Sequence, residues 1–147
     1  MTFDAGQISD GVREFLTERH LASLTTLRQD GSPHVIAVGF TFDEEAGVAR
    51  IITSDGSVKV RNAERLGPDG LPGRAAVCQI DGRRWLTLEG STRVLEDAAS
   101  VRDAEQRYAV RYRQPRPNPE RVVVVLDVDR VLGGSWPDPL PPSPYAT

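Results

Sequence analysis

The stretch Leu21-Ala22-Ser23-Leu24-Thr25-Thr26-Leu27-Arg28, then Gln29-Asp30-Gly31-Ser32, then Pro33-His34-Val35-Ile36-Ala37-Val38-Gly39-Phe40, decides the fold. Two β-rich runs flank a four-residue segment with Asp-Gly at its centre, which predicts a hairpin. A second turn at 43–47 leads into a third run, 48–53, so residues 21–53 read as an antiparallel three-stranded meander with its second strand at 33–42. The same signal recurs downstream. Asp81-Gly82 separates runs at 74–80 and 83–95, and a last long strand is expected over 121–132.

Helices punctuate these strands. Val12, Phe15 and Leu16 have helical spacing after Ser9 and Asp10, which predicts a short amphipathic helix over 12–19 with one of those two as its cap. Ser57 is placed to cap a helix running to about Leu66. Asp97 caps a third with Val101, Ala104, Tyr108 and Tyr112 on one stripe, ended by Pro115, Pro117 and Pro119. The expected class is mainly β with helices, α+β: a six-stranded antiparallel small barrel. A single domain spans 1–136, and the proline-rich 137–147 lies outside it as a disordered tail.

Composition narrows the function classes. The chain has 147 residues, 39% hydrophobic and 27% charged, enough for one domain with a core. The net charge of −3 gives no basic face for general nucleic-acid binding. The longest apolar run, Val122-Val123-Val124-Val125-Leu126, is far short of a membrane span. The start of the chain lacks a signal-peptide pattern, so a cytoplasmic protein is expected. Cys78 is alone, and His20 and His34 are too far apart in sequence to suggest a metal site. Seventeen of the 18 basic residues are arginine, a bias that a GC-rich genome explains; Lys59 is the exception.

No nucleophile elbow, phosphate loop or dinucleotide fingerprint is present. The best local constellation is residues 50–62, RIITSDGSVKVRN. A strand ends, a glycine turn follows, and a Ser57-capped helix begins with Lys59, Arg61 and Asn62 near its start. Those parts suit a phosphate; the alternative is a solvated basic helix with a structural cap. In 33–40, Ala37 and Gly39 are small enough for a flat ring to approach the backbone, or for tight core packing. Trp85 suits stacking, a subunit contact or the core. Arg111, Arg113, Arg116 and Arg121 form a basic stretch that would pair with substrate carboxylates or lie in solvent.

Residues 15–27 (FLTERHLASLTTL), 30–35 (DGSPHV), 39–43 (GFTFD) and 57–62 (SVKVRN) resemble the pyridoxamine-5′-phosphate-oxidase-like superfamily of flavin and deazaflavin enzymes, whose fold is an FMN-binding-like split β-barrel. More narrowly, 81–90 (DGRRWLTLEG), 102–108 (RDAEQRY) and 113–119 (RQPRPNP) are similar to deazaflavin-dependent biliverdin reductases, which use coenzyme F420. The resemblance implies an oxidoreductase that moves a hydride from reduced deazaflavin to a conjugated tetrapyrrole. It implies that Lys59 meets the cofactor phosphate, with Ser57 and Asn62 beside it. His34, Val35, Ile36, Ala37 and Val38 would lie along the ring, and Ile52 and Thr53 would contact the ring and ribityl chain. Gln79 and Trp85 would act across the interface of a homodimer whose sites lie between subunits. Arg113 and Arg116 are the candidates for substrate propionates, and no proton donor is assigned. Two alternatives stand: an FMN-dependent pyridoxamine phosphate oxidase-like enzyme, and a non-catalytic carrier of deazaflavin or haem products. The loop 66–74 looks longer than in the reductases, and the tail after Trp136 has no counterpart in them.

Overall fold

The computed structural model describes residues 8–133; the expected proline-rich tail lies outside the described residues. The element order is α1 (Asp10–Thr17), β1 (Ala22–Leu27), β2 (Pro33–Val38), β3 (Thr41–Asp43), β4 (Val48–Ser54), α2 (Val58–Glu64), β5 (Arg74–Asp81), β6 (Arg84–Leu95), α3 (Ala98–Arg111) and β7 (Arg121–Gly133). All strand pairings are antiparallel, in the order β2-β1-β5-β6-β7-β4-β3. The mainly β split-barrel class holds, with seven strands where six were expected.

The extra strand comes from a break within the expected 33–42 run. β2 ends at Val38 and β3 begins at Thr41, and the two lie at opposite edges of the sheet. The three-stranded meander is therefore replaced by two hairpins, β1–β2 and β3–β4, which do not pair with each other. The cause is long-range. The Phe40 backbone N–H donates to the Tyr112 hydroxyl at 3.1 Å, and its carbonyl accepts from the Arg111 guanidinium at 2.6 Å. Side chains from the end of α3 thus take the bonds that a continuous strand would give to a neighbour.

The hairpin signals form as read. Gly31 and Gly82 have φ of +84° and +62°, which an L side chain resists. Ser9, Ser57 and Asp97 cap the three helices, each accepting a backbone N–H three residues on. α1 stops at Thr17 because Glu18 turns extended and places its carboxylate on Arg84. α2 ends at Glu64, and Leu66 instead pairs with Pro72.

β7 explains the apolar run in the sequence. Val122, Val124 and Leu126 enter the main core with Phe15, Leu24, Ile51, Val77 and Leu88. Val123 and Val125 face the other way, into a smaller cluster under α3 with Val48 and Ala104. The strand is buried on both faces, hence continuous rather than alternating hydrophobicity. Where β6 crosses β7 the register shifts between Glu89 and Gly90, and a Cβ at Gly90 would lie 1.9 Å from the Asp127 carbonyl oxygen. Among the described residues, no helix is long and apolar enough to cross a membrane.

Candidate functional site

A cleft of about 580 Å³ opens where the end of β2, the second half of β4, the first turn of α2 and the loop after α3 converge. Ala37, Val38 and Gly39 form one wall, and residues 51–54 form another. Tyr108, Arg113, Pro115, Arg116 and Asn118 close it from α3 and the following loop, with Arg121 at the start of β7. The prolines stop α3 and lay that loop along the sheet. Asn118 fastens it there by donating to Ser54 Oγ at 2.8 Å, and the Asp55 N–H bonds the Glu120 carbonyl at 2.9 Å.

The charge in this cleft is one-sided. Lys59, Arg113, Arg116 and Arg121 line it, and no carboxylate does among the described residues. Arg121 is paired with Glu105. Among the described residues the other three make no ion pair. Lys59 is half-buried, and burial alone pushes its ammonium below the usual lysine value. A desolvated cation without a counter-ion is a standing electrostatic cost that an anion would remove.

Of the residues singled out in the sequence, the structure brings Ala37, Val38, Ile52, Thr53, Lys59, Arg113 and Arg116 together on this cleft. The others lie elsewhere. The Ser57 hydroxyl caps α2. Asn62 is buried, donates to Thr26 Oγ1 at 3.0 Å, and borders a separate cavity between α2, the β1–β2 turn and the 66–74 loop. Gln79 is 0% exposed and faces inward; it donates to the Phe15 carbonyl at 2.8 Å and accepts from Arg111. His34, Val35 and Ile36 lie on β2 outside the cleft lining, and His34 Nδ1 is buried with no hydrogen-bond partner among the described residues. Trp85 stands on the outer face of the sheet opposite Ile80.

Sequence reasoning missed Tyr108, Pro115, Asn118 and Arg121 as cleft residues. In sequence Tyr108 reads as part of a helix stripe with Val101, Ala104 and Tyr112, and Arg121 as part of a basic stretch. It also missed a charged cluster. His20 Nε2 lies 2.9 Å from Glu18, and the buried Arg84 bridges Glu18 and Asp81. The guanidinium fills the space between these carboxylates, which makes the cluster an internal clasp.

The donor set fits a phosphorylated flavin or deazaflavin. Small and apolar side chains, Ala37, Gly39 and Ile52, offer a flat surface, and unpaired cations stand at its rim.

The comparisons with known proteins point the same way. The family model for pyridoxamine 5'-phosphate oxidase matches residues 8–133. An F420H(2)-dependent biliverdin reductase of Mycobacterium tuberculosis (strain CDC 1551 / Oshkosh) is 56% identical over 129 residues, covering 88% of this chain and 90% of its own. The structure of an F420 reductase is similar with a TM-score of 0.62 and 24% identity, over 85% of this chain and 98% of that one. Rv2991 from Mycobacterium tuberculosis has a TM-score of 0.69 and 20% identity, over 86% and 84%. These two likenesses speak for the fold alone. A match across nearly every described residue, carried by this fold and this cleft, shows that the chain belongs to the pyridoxamine 5'-phosphate oxidase family.

Proposed function

We propose that the chain is a cytoplasmic F420-dependent oxidoreductase that reduces biliverdin to bilirubin. The observation that carries this reading is the 56% identity, over 88% of the chain, to a reductase of that specificity. The acid-free cationic cleft supplies the chemical reason.

Bound in its reduced form, the deazaflavin supplies a hydride. Lys59 holds the cofactor phosphate, and its charge regains on binding the stabilisation that burial removed. Ala37, Val38 and Ile52 provide the apolar contact that keeps water from the ring, while Thr53 lies beside the ribityl chain. Arg113 and Arg116 orient an acidic acceptor through its propionates; both are unpaired and on the loop opposite β2. No Asp, Glu or His lines the cleft among the described residues; Tyr108 and Lys59 are the lining groups with a proton to give, and water is the other source.

The active form in this proposal is a homodimer. One end of the outer face of β2, β1, β5 and β6 carries Val35, Thr25, Ser23, Cys78, Ile80 and Trp85, while the charged residues of that face on β5 and β6, Arg74 and Glu89, lie at its other end. Val35 and Ile80 are 60% and 62% exposed. Such a patch marks an interaction surface. Ala37 belongs to both this face and the cleft, so a partner seated here borders the site.

The test is a titration of the purified protein with F420, FMN and FAD side by side, followed by turnover of reduced F420 with biliverdin. Preferential F420 binding and loss of the biliverdin band, with growth of a bilirubin band, are expected. Tight FMN binding with no F420 binding overturns the cofactor. Binding without hydride transfer to biliverdin leaves a carrier or another acceptor.

A further inference from the structure

Two walls of the cleft have no direct connection through the sheet. One is the end of β2 at Ala37 to Gly39. The other is the loop 113–118. The strand order puts β2 at one edge of the sheet and β4, which carries the third wall, next to the other edge. What joins the walls is the last turn of α3.

Arg111 makes three bonds with one guanidinium. Its Nε donates to the Glu18 carbonyl at 2.9 Å, its Nη1 to the Phe40 carbonyl at 2.6 Å, and its Nη2 to Gln79 Oε1. Its Cζ lies 4.7 Å from the Phe40 ring centre and 5.1 Å from that of Tyr112. The Tyr112 hydroxyl accepts from the Phe40 N–H and donates to the His20 carbonyl at 2.6 Å. Tyr108, one turn back, stacks on Tyr112 at 4.8 Å and reaches the cleft. Tyr108 and Tyr112 also fill the space that Gly39 leaves open, since a Cβ there would lie 3.0 Å and 3.2 Å from their rings. The helix is itself locked to β3 and β4: Asp43 takes Arg50 at 2.9 Å and Arg107 at 3.4 Å.

We propose that Arg111 and Tyr112 are positioning residues that set the gap between the β2 wall and the 113–118 wall, and so the fit of a flat ring, without touching it. These bonds end on the Phe40 backbone at the break, on the Glu18 and His20 carbonyls of the turn behind it, and on Gln79 of β5. The chain that leaves Tyr112 becomes the opposite wall within one residue, at Arg113. Loosening the clamp therefore moves both walls together. It leaves Lys59 in place, because α2 makes none of these bonds.

The proposal deepens the deazaflavin reading, and its test is built so that the two fail separately. Tyr112→Phe keeps the ring and removes only the hydroxyl. Hydrogen exchange of the ligand-free protein is compared with wild type at residues 38–43 and 113–119. Both segments should exchange faster, with α1 and β6 unchanged. F420 affinity, read by fluorescence titration, should fall about tenfold, within what the two hydrogen bonds of the hydroxyl contribute. Affinity for inorganic phosphate, read by competition, should stay within twofold. Faster exchange in only one segment, or equal losses for F420 and phosphate, overturns the proposal. Should wild type bind no F420, the cofactor reading fails, and the exchange comparison still decides the positioning role. Should Tyr112→Phe not fold by far-UV circular dichroism, Arg111→Lys is read in the same way.

Discussion

Removing the one lysine tests the charge logic of the cleft. Lys59→Ala deletes a half-buried cation without an ion pair among the described residues. A charge-assisted hydrogen bond to an anion contributes about 1.5–3 kcal/mol, so affinity for F420 should fall roughly ten- to 150-fold. A swing of Arg113 or Arg116 to the phosphate would hold the loss to the lower end, and Lys59→Ala combined with Arg116→Ala reads that compensation. Without ligand, the sign reverses. Burial lowers the Lys59 pKa below its ordinary 10.5, so its charge costs the folded state free energy. The variant's melting temperature should therefore equal or slightly exceed that of wild type. The same shift fixes a pH dependence. An anion at Lys59 draws its pKa back up, so binding takes up protons between the lowered and the ordinary value. Affinity should fall as pH rises through the lowered value in wild type, and Lys59→Ala should lose that slope. Fluorescence titration across pH, with calorimetry in two buffers of different ionisation enthalpy, measures both. An F420 dissociation constant within twofold of wild type would refute the reasoning.

Three further outcomes follow from the geometry. Gly90→Ala puts a methyl 1.9 Å from the Asp127 carbonyl oxygen and forces β7 to move; it should cost about 3 kcal/mol or more and about 10 °C in a thermal melt, and a melt within 2–3 °C of wild type on that same scale would disprove the close crossing. Hydrogen bonding from Arg84 holds the Glu18 carboxylate below its ordinary 4.5. Its stabilisation is thus present above that pH and is lost as pH falls through the lowered value; Glu18→Gln should flatten the acid limb of a denaturation series, and an unchanged limb would remove the clasp from the account. Ile80→Asp in the apolar end of the outer face should halve the mass measured by light scattering, whereas an unchanged mass would place the subunit contact elsewhere.

Much of the fold is legible locally because its signals are local. The Asp30-Gly31 and Asp81-Gly82 turns and the caps at Ser9, Ser57 and Asp97 each depend on residues within a few positions. The run 122–126 reads as a buried strand for the same reason. The strand order is not local. Nothing near Gly39 announces that Arg111 and Tyr112, some seventy residues later, will take the Phe40 backbone and split the strand. The site divides in the same manner. Lys59 and Ala37 are legible as a cation near a cap and a small residue on a strand. Gln79 and Asn62 look like polar candidates in sequence, yet each satisfies a distant group inside the protein: the Phe15 carbonyl for one, the Thr26 hydroxyl for the other. A buried polar residue and a ligand-binding one share the same letter, and only the partner distinguishes them.

The doubly buried β7 limits how this protein can be re-engineered. Between 122 and 126 every side chain is in contact with packing on one flank or the other, so a change of volume has no solvent to expand into. Latitude begins before Arg121, whose side chain is tied to Glu105 and the Arg116 carbonyl, in the proline-spaced loop along the mouth of the cleft. A library aimed at new acceptors belongs in those few positions, with the valine spine left untouched as its chassis.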